Sequence, residues 1–162
     1  MRRYLFNVEK YKYVKGVKPE VECILCEIVR KNPDITSLEL ARNATCGVTV
    51  NLYPYNPGHL MVFPLRHLES PVQMTDEEGA DIHRLVRASI RIIDSTYSPS
   101  GYNLGYNVGN HSGASISHIH MHIVPRYQNE VGFIDVLAGD RLSITDPNDT
   151  VRDLKERFAE FL

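Results

Sequence analysis

The chain has 162 residues and a mass of 18.5 kDa, with a formal net charge of −2 at pH 7. This length suffices for one domain with its own core, and the near-neutral charge argues against a nucleic-acid scaffold, which carries a basic surplus. No apolar run approaches the roughly 18 residues of a membrane helix, and the N-terminus lacks the apolar stretch of a secretory signal. We therefore expect a cytoplasmic protein that binds neither nucleic acid nor membrane.

The first motif along the chain is a cysteine pair, Cys23-Ile-Leu-Cys26. Three cysteines without a secretory signal argue against a disulfide framework. The pair is therefore typical of a metal half-site or of a redox pair, although the redox motif usually opens a helix in a βαβ unit, which this sequence does not show. The third cysteine, Cys46, is expected to be a small buried core residue.

Short elements are predicted before the middle of the chain. A helix over residues 27–31 follows the cysteine pair and is stopped by Asn32-Pro33. Alternation and β-branched residues predict three strands, over residues 38–43, 47–53 and 59–63. The loop Pro54-Tyr-Asn-Pro-Gly58 separates the last two.

The longest predicted helix covers residues 75–97, where Thr75 and Glu78 form a capping box. Further strands are predicted over residues 101–108 and 118–124, and residues 131–136 are another candidate strand. A final helix opened by Thr150 carries one apolar stripe, formed by Val151, Leu154, Phe158 and Leu162. These elements predict an α+β domain in which one long helix packs on an antiparallel sheet of about five strands.

The most informative run is His118-Ile-His-Met-His-Ile-Val124. Side chains alternate along a strand, so the three imidazoles share one face. A solvated polar face is the alternative, but such a face normally uses Lys, Thr or Glu. The outer two histidines would lie roughly 13–14 Å apart, too far for both to bind one metal through bonds of about 2 Å. We therefore expect the three to divide between metal ligation and nucleophilic or acid–base chemistry.

A loop of small residues, Gly109-Asn-His-Ser-Gly-Ala-Ser115, ends shortly before these histidines. Small side chains let the backbone approach a ligand, and the free N–H groups of such a loop can cradle a phosphate. A plain hairpin turn is the alternative. N–H donors beside a nucleophile are what phosphoryl chemistry requires.

These motifs resemble those of the histidine-triad (HIT) nucleotide-binding proteins. Residues 118–124 match the family's signature of alternating histidines, and residues 56–67 resemble its Pro-Gly-His strand with a later proline and histidine. The resemblance runs from about Cys23 to Arg126. It implies one HIT domain over residues 1–162, with a core of about 23–126, a short helix, a lead-in over 1–22 and an extension over 127–162.

The resemblance also implies the catalytic roles. His120 would attack the α-phosphate of a nucleotide and form a covalent nucleotidyl-histidine, His122 would assist the leaving group, and Ser115 would hold phosphate oxygens. The implied nucleotide-binding residues are Asn51 near the ribose, His59 in the pocket, Asn107 near the phosphates, and Gly113 and Ala114 in the loop.

A structural zinc ion is implied as well, held by a closed tetrahedral set of Cys23, Cys26, His67 and His118. It would pin the N-terminal segment against the strand that carries the histidines. A homodimer is expected from the resemblance, and magnesium is expected with the polyphosphate substrate.

The loop departs from the pattern common in the family, because Ala114 precedes Ser115 where many members have Gln. This loop and the extended tail resemble those of the short diadenosine tetraphosphate phosphorylases. In those enzymes inorganic phosphate attacks the nucleotidyl-histidine. We expect a small nucleotide substrate of the dinucleoside polyphosphate class, with water or phosphate as acceptor. The alternatives are hydrolysis of nucleoside phosphoramidates or other nucleotide conjugates, and a nucleotide-binding sensor without turnover.

Overall fold

The computed structural model describes residues 20–109, 111–128, 130 and 145–160. The helices in these ranges are α1 (Ile24–Arg30), α2 (Asp76–Tyr97) and α3 (Pro147–Phe158), with a 3-10 turn at Pro71–Gln73. The strands are β1 (Glu39–Arg42), β2 (Cys46–Val50), β3 (Leu60–Pro64), β4 (Gly101–Tyr106) and β5 (Met121–Arg126). The candidate strand over 131–136 and the terminal Leu162 lie outside the described residues. None of these helices is long and apolar enough to cross a membrane.

The five strands form one antiparallel sheet in the order β1-β2-β3-β5-β4, which confirms the predicted α+β class. The pairing of β3 with β5 sets Leu60 opposite Ile123 and Met61 opposite His122. Because side chains alternate along each strand, these two pairs lie on opposite faces of the sheet. Thr49 of β2 pairs with Met61, so it shares the face of His122.

One face of the sheet packs against α2 and α3 and forms the main core. The capping box of Thr75 and Glu78 starts α2 as predicted. Helix α3 begins at Pro147 rather than at Thr150, because Asp146 caps the N–H of Asn148 and proline suits the first turn. The described part of the C-terminal extension therefore covers the core face of the sheet.

The other face of the sheet carries α1. Leu25 and Ile28 pack on Phe63 of β3 there, and Arg42 of β1 donates hydrogen bonds to the last carbonyls of the helix. Helix α1 begins three residues before the predicted helix over 27–31, so Cys23 takes the N-cap position and Cys26 lies in the first turn. The cysteine pair opens the helix rather than preceding it.

The observed strand bounds differ from the predicted ones by no more than three residues. The largest differences fall at the end of β2 and at the start of β5. Strand β2 ends at Val50 because the side-chain oxygen of Asn51 accepts a hydrogen bond from the N–H of Tyr53 and turns the chain. Strand β5 begins only at Met121, because the N–H of Ile119 donates to the carbonyl of Leu68, in the segment after β3.

Candidate functional site

A cleft of about 430 Å³ opens on the face of the sheet that carries α1. This volume lies in the range of small-molecule sites. Thr49 and Met61 contribute to it from the sheet. The sequence-predicted residues that line it are Asn51, Asn107, Gly113, Ala114, Ser115, His120 and His122. His59 is fully buried, and one of its ring nitrogens lies 3.0 Å from a ring nitrogen of His122.

Helix α1 gives the cleft an apolar wall made of Ile24, Leu25 and Ile28. Leu25 and Ile28 are buried, so the wall is fixed by the packing of α1 on the sheet. An apolar surface of this kind suits the flat face of an aromatic ring, whereas the histidines and the loop offer polar atoms to the same cleft. The cleft can therefore receive a ligand that has both an aromatic and an anionic part.

His120 presents a nitrogen lone pair to the cleft. Its Nδ1 lies 2.8 Å from the carbonyl oxygen of His118, and a carbonyl only accepts, so Nδ1 carries the proton. The neutral ring then has its lone pair on Nε2. Burial lowers the pKa of His120, which keeps the ring neutral at physiological pH. The arrangement is that of a nucleophile or a general base.

His122 has the opposite tautomer. The backbone N–H of Tyr55 donates to Nδ1 of His59 over 3.1 Å, so a neutral His59 carries its proton on Nε2. That nitrogen lies 3.0 Å from Nδ1 of His122, whereas the amide nitrogen of Asn51 is farther away at 3.4 Å. His122 therefore accepts at Nδ1 and carries its own proton on Nε2. Two adjacent histidines, with ring centroids 4.8 Å apart, thus supply one lone pair and one N–H.

His118 belongs to a second cluster. Its Nδ1 lies 3.5 Å from the Cys23 sulfur and 3.6 Å from the Cys26 sulfur, and the Cys26 sulfur lies 3.4 Å from Nδ1 of His67. The four donor atoms all lie within 4.8 Å of one another. The prediction that the histidines divide their roles is consistent with this separation, since the ring of His118 faces the cysteines.

The spacing of these donors fits a metal ion. Zinc binds thiolate sulfur at about 2.3 Å and imidazole nitrogen at about 2.0–2.1 Å, so a tetrahedral site separates sulfur from nitrogen by about 3.6 Å. The three sulfur–nitrogen distances of 3.4–3.6 Å match that edge. Two sulfurs and two nitrogens are also the donor set that zinc prefers. Cys23, Cys26, His67 and His118 could therefore hold a metal ion.

The surroundings of His118 suit metal ligation. Nε2 of His118 lies 2.9 Å from the carbonyl oxygen of Pro64, which fixes the ring and leaves Nδ1 as the ligating nitrogen. Burial lowers the pKa of His118 to about 4, so the ring is neutral, as a ligand must be. Burial and the adjacent Cys23 thiol raise the pKa of the Cys26 thiol, so a bound cation would have to stabilise the thiolate that a metal ligand supplies.

The family model of the HIT domain matches residues 32–129. The chain belongs to the HIT family. An AP-4-A phosphorylase of Mycobacterium tuberculosis is 37% identical over 127 residues, which are 78% of this chain. The same match covers 65% of that protein, so the chain spans just under two thirds of its length.

Two further relatives bear on the HIT site. An adenosine 5'-monophosphoramidase of Schizosaccharomyces pombe is 32% identical over 112 residues, covering 69% of this chain and 80% of that protein. A zinc-bound histidine triad family protein of Mycobacterium smegmatis has the same fold, with a TM-score of 0.69 at 22% identity over 86% of this chain and 94% of that one. The expected HIT-like fold is thereby confirmed.

Some residues of this HIT site were not anticipated from the sequence. The wall residues Ile24 and Leu25 stand between the two cysteines, but seven helical residues are too few to show an apolar period. Tyr55 stacks on His59 with ring centroids 5.1 Å apart, a contact that a loop motif does not reveal. Cys46 is fully buried in the main core, as expected.

Proposed function

We propose that this HIT protein splits dinucleoside polyphosphates by transferring a nucleotidyl group to His120. The observation that carries the proposal is the pair of opposite tautomers in the cleft. The His120 ring has its lone pair on Nε2, while the His122 ring has an N–H that can reach the leaving group. A nucleophile beside a donor is the arrangement that an in-line displacement at phosphorus needs.

The first step forms a bond between Nε2 of His120 and the α-phosphorus, and breaks the bond from that phosphorus to the bridging oxygen. The leaving nucleoside polyphosphate departs as an anion, so it takes no proton, and the N–H of His122 stabilises its new charge. In the second step, water or inorganic phosphate attacks the phosphorus and releases His120. With diadenosine tetraphosphate, phosphate gives ADP and ATP, whereas water gives AMP and ATP.

Other residues of the cleft bind and orient the nucleotide in this proposal. Ser115 and the N–H groups of Gly113 and Ala114 hold the non-bridging phosphate oxygens, Asn107 contacts the phosphates and Asn51 contacts the ribose. Gly113 lines the cleft and has a φ of 89°, a conformation that glycine adopts without strain. The base lies against the apolar wall of α1.

We further propose that the metal ion is zinc and that its role is structural. The four residues Cys23, Cys26, His67 and His118 complete a tetrahedral shell, which leaves no open position for a substrate or water. When bound, zinc supplies a cross-link between distant segments of the chain rather than a reactive group. Magnesium bound to the polyphosphate stays a prediction, and it is tested by adding magnesium to the product analysis.

The substrate class is supported by the M. tuberculosis relative, whose name is AP-4-A phosphorylase, and by the Gly-Ala-Ser loop. The test is product analysis after incubation with diadenosine tetraphosphate, with and without phosphate and magnesium. ADP and ATP formed only with phosphate would establish a phosphorylase, and AMP and ATP without phosphate a hydrolase. No turnover under any of these conditions would refute the proposal.

A matched pair of variants tests the mechanism. His120→Asn removes the nucleophile and should abolish turnover while AMP binding persists. His83→Asn, on the exposed side of α2, makes the same chemical change away from the cleft and should leave turnover unaltered. Turnover by His120→Asn would show that another group attacks phosphorus. If the unsubstituted protein binds AMP but shows no turnover, the sensor alternative would be favoured.

A second candidate is hydrolysis of adenosine phosphoramidates, which the S. pombe relative favours because its name is adenosine 5'-monophosphoramidase. The same attack by His120 on the α-phosphorus would serve both substrates. They differ in the leaving group, since an amine must gain a proton as it departs. Measuring kcat/KM for both substrates under one set of conditions ranks them.

We also propose that the protein is a homodimer joined through β4. This strand is at the end of the strand order and pairs only with β5 in the described part of the chain. Leu104 on β4 and Val108 just beyond it are 45% and 46% exposed. An exposed edge with apolar side chains is a ready surface for a second copy. Light scattering tests this, and Leu104→Glu should shift the mass toward a monomer.

A further inference from the structure

Helix α1 serves the metal cluster and the cleft at the same time. Cys23 at its N-cap and Cys26 in its first turn supply two of the four donor atoms. The residues between and after them, Ile24, Leu25 and Ile28, form the apolar wall of the cleft. Neighbouring residues of one short segment therefore belong to the two sites.

The loop that forms a second wall of the cleft continues to His118, one of the four metal donors. Ser115 and Ile116 line the cleft, and Ile116 also packs on the apolar cluster around α1. Two residues later His118 turns its Nδ1 to within 3.5 Å of the Cys23 sulfur. The donor set thus joins the two cleft walls through Cys23 and His118, which lie 95 residues apart in sequence.

The two ends of α1 are held differently. Arg42, paired with Glu39, donates hydrogen bonds to the carbonyls of Ile28 and Val29 at the C-terminal end. At the N-terminal end Cys23 makes no side-chain capping hydrogen bond. A helix of seven residues is far too short to be stable alone, so its position depends on these attachments as well as on the packing of Leu25 and Ile28 on the sheet. The two cysteines, as metal donors, are the attachment at the N-terminal end.

We infer that metal occupancy and nucleotide occupancy are thermodynamically coupled through α1. The metal holds the apolar wall in the position that contacts the base, and a base bound on that wall holds the cysteines in the position that binds the metal. The inference rests on the proposed function in one respect, that a nucleotide occupies the cleft. Coupling is reciprocal, so each ligand must change the affinity of the other by the same factor, typically about 5- to 150-fold.

The first experiment measures zinc affinity of the unsubstituted protein by equilibrium competition with a chromophoric chelator. It is done without ligand, with saturating AMP, and with ribose 5-phosphate, which has the same phosphate but no base. AMP should raise zinc affinity by about 5-fold or more, and ribose 5-phosphate should raise it much less. Zinc affinity that is unchanged by AMP, or raised equally by both compounds, would overturn the coupling.

The second experiment measures AMP affinity by calorimetry at two zinc concentrations. His67→Ala is the test variant, because His67 supplies one of the four metal-binding atoms but does not line the cleft. Its AMP affinity should be weak at low zinc and recover at high zinc, by the factor found in the competition experiment. Cys46→Ser is the control, since it changes a cysteine in the main core and keeps all four donors, and its AMP affinity should equal that of the unsubstituted protein at both zinc concentrations.

The outcomes separate this inference from the proposed function. If the zinc-loaded protein binds AMP and AMP affinity is the same after zinc is removed, the coupling is refuted and the proposed function stands. If the zinc-loaded protein does not bind AMP, both are refuted. Far-UV circular dichroism of each sample identifies general unfolding, and the competition experiment starts from the folded, zinc-loaded protein, so its result holds even where the zinc-free form unfolds.

Discussion

Replacing Phe158 by alanine tests whether the C-terminal helix is an integral part of the core. Phe158 and Leu154 of α3 are 1% and 0% exposed and pack with the residues of α2 and the sheet. Truncating a buried phenylalanine removes its transfer free energy and leaves a cavity, at a cost of about 3–5 kcal/mol. For a domain of this size each kcal/mol corresponds to about 2–4 °C, so Tm should fall by roughly 6–20 °C.

Urea unfolding measures this change directly. The midpoint of Phe158→Ala should move to lower urea while the slope stays unchanged, because the surface exposed on unfolding is nearly the same. Glu156→Ala, on the exposed side of the same helix, is the matched control and should alter stability by about 0.5 kcal/mol or less. A loss below about 1 kcal/mol for Phe158→Ala would refute the placement of α3 in the core.

Activity provides a second check on the same variant. Helix α3 lies on the core face of the sheet, and the cleft opens on the other face. At a temperature where Phe158→Ala remains folded, its kcat/KM for the nucleotide substrate should therefore stay within about twofold of the unsubstituted protein. A large loss of activity in the folded variant would mean that the two faces are not independent.

Three further predictions concern other parts of the chain. The hydrogen bond from Arg66 lowers the pKa of Glu78 below 4.5. The charged Glu78 therefore stabilises the folded protein fully above pH 4.5, and this contribution is lost as the pH falls through the lowered pKa. Glu78→Gln should destabilise the protein at pH 6 and progressively less toward pH 3, as measured by urea unfolding. His59→Phe keeps the ring but removes the N–H that orients His122, and should lower kcat by about tenfold while AMP affinity holds, as steady-state kinetics and calorimetry would show. Gly58→Ala should lower Tm, because Gly58 has a φ of 76° and an added Cβ would lie 3.0 Å from a tyrosine ring.

The sequence predicts best those features that depend on local patterns. The capping box of Thr75, the alternation in β1 and the β-branched residues of β2 each identify an element correctly, because a few neighbouring residues suffice to define it. The starts of α1 and β5 were wrong by three residues. The start of β5 depends on a partner far away in sequence, because the N–H of Ile119 donates to the carbonyl of Leu68, and a local pattern does not contain that information.

In the candidate site, too, the sequence predicts the features that depend on local motifs and misses those that depend on the fold. The histidine signature and the cysteine pair, with the family resemblance that they support, name His120 and His122, which line the cleft, and the four donors that approach one another. The tautomers of His120 and His122 could not be predicted, since they depend on the carbonyl of His118 and on the backbone N–H of Tyr55. The apolar wall on α1 was also missed, because it is defined by the position of the helix rather than by its composition.

The register of β5 determines both which side chains face the cleft and which are buried in the core. His122 lies opposite Met61 on the cleft face, and the next residue, Ile123, lies opposite Leu60 in the main core. A one-residue insertion or deletion at this point would exchange the two faces, burying an imidazole among aliphatic side chains and exposing an isoleucine to the cleft. A change in the number of residues along β5 would therefore disrupt the core and the cleft together.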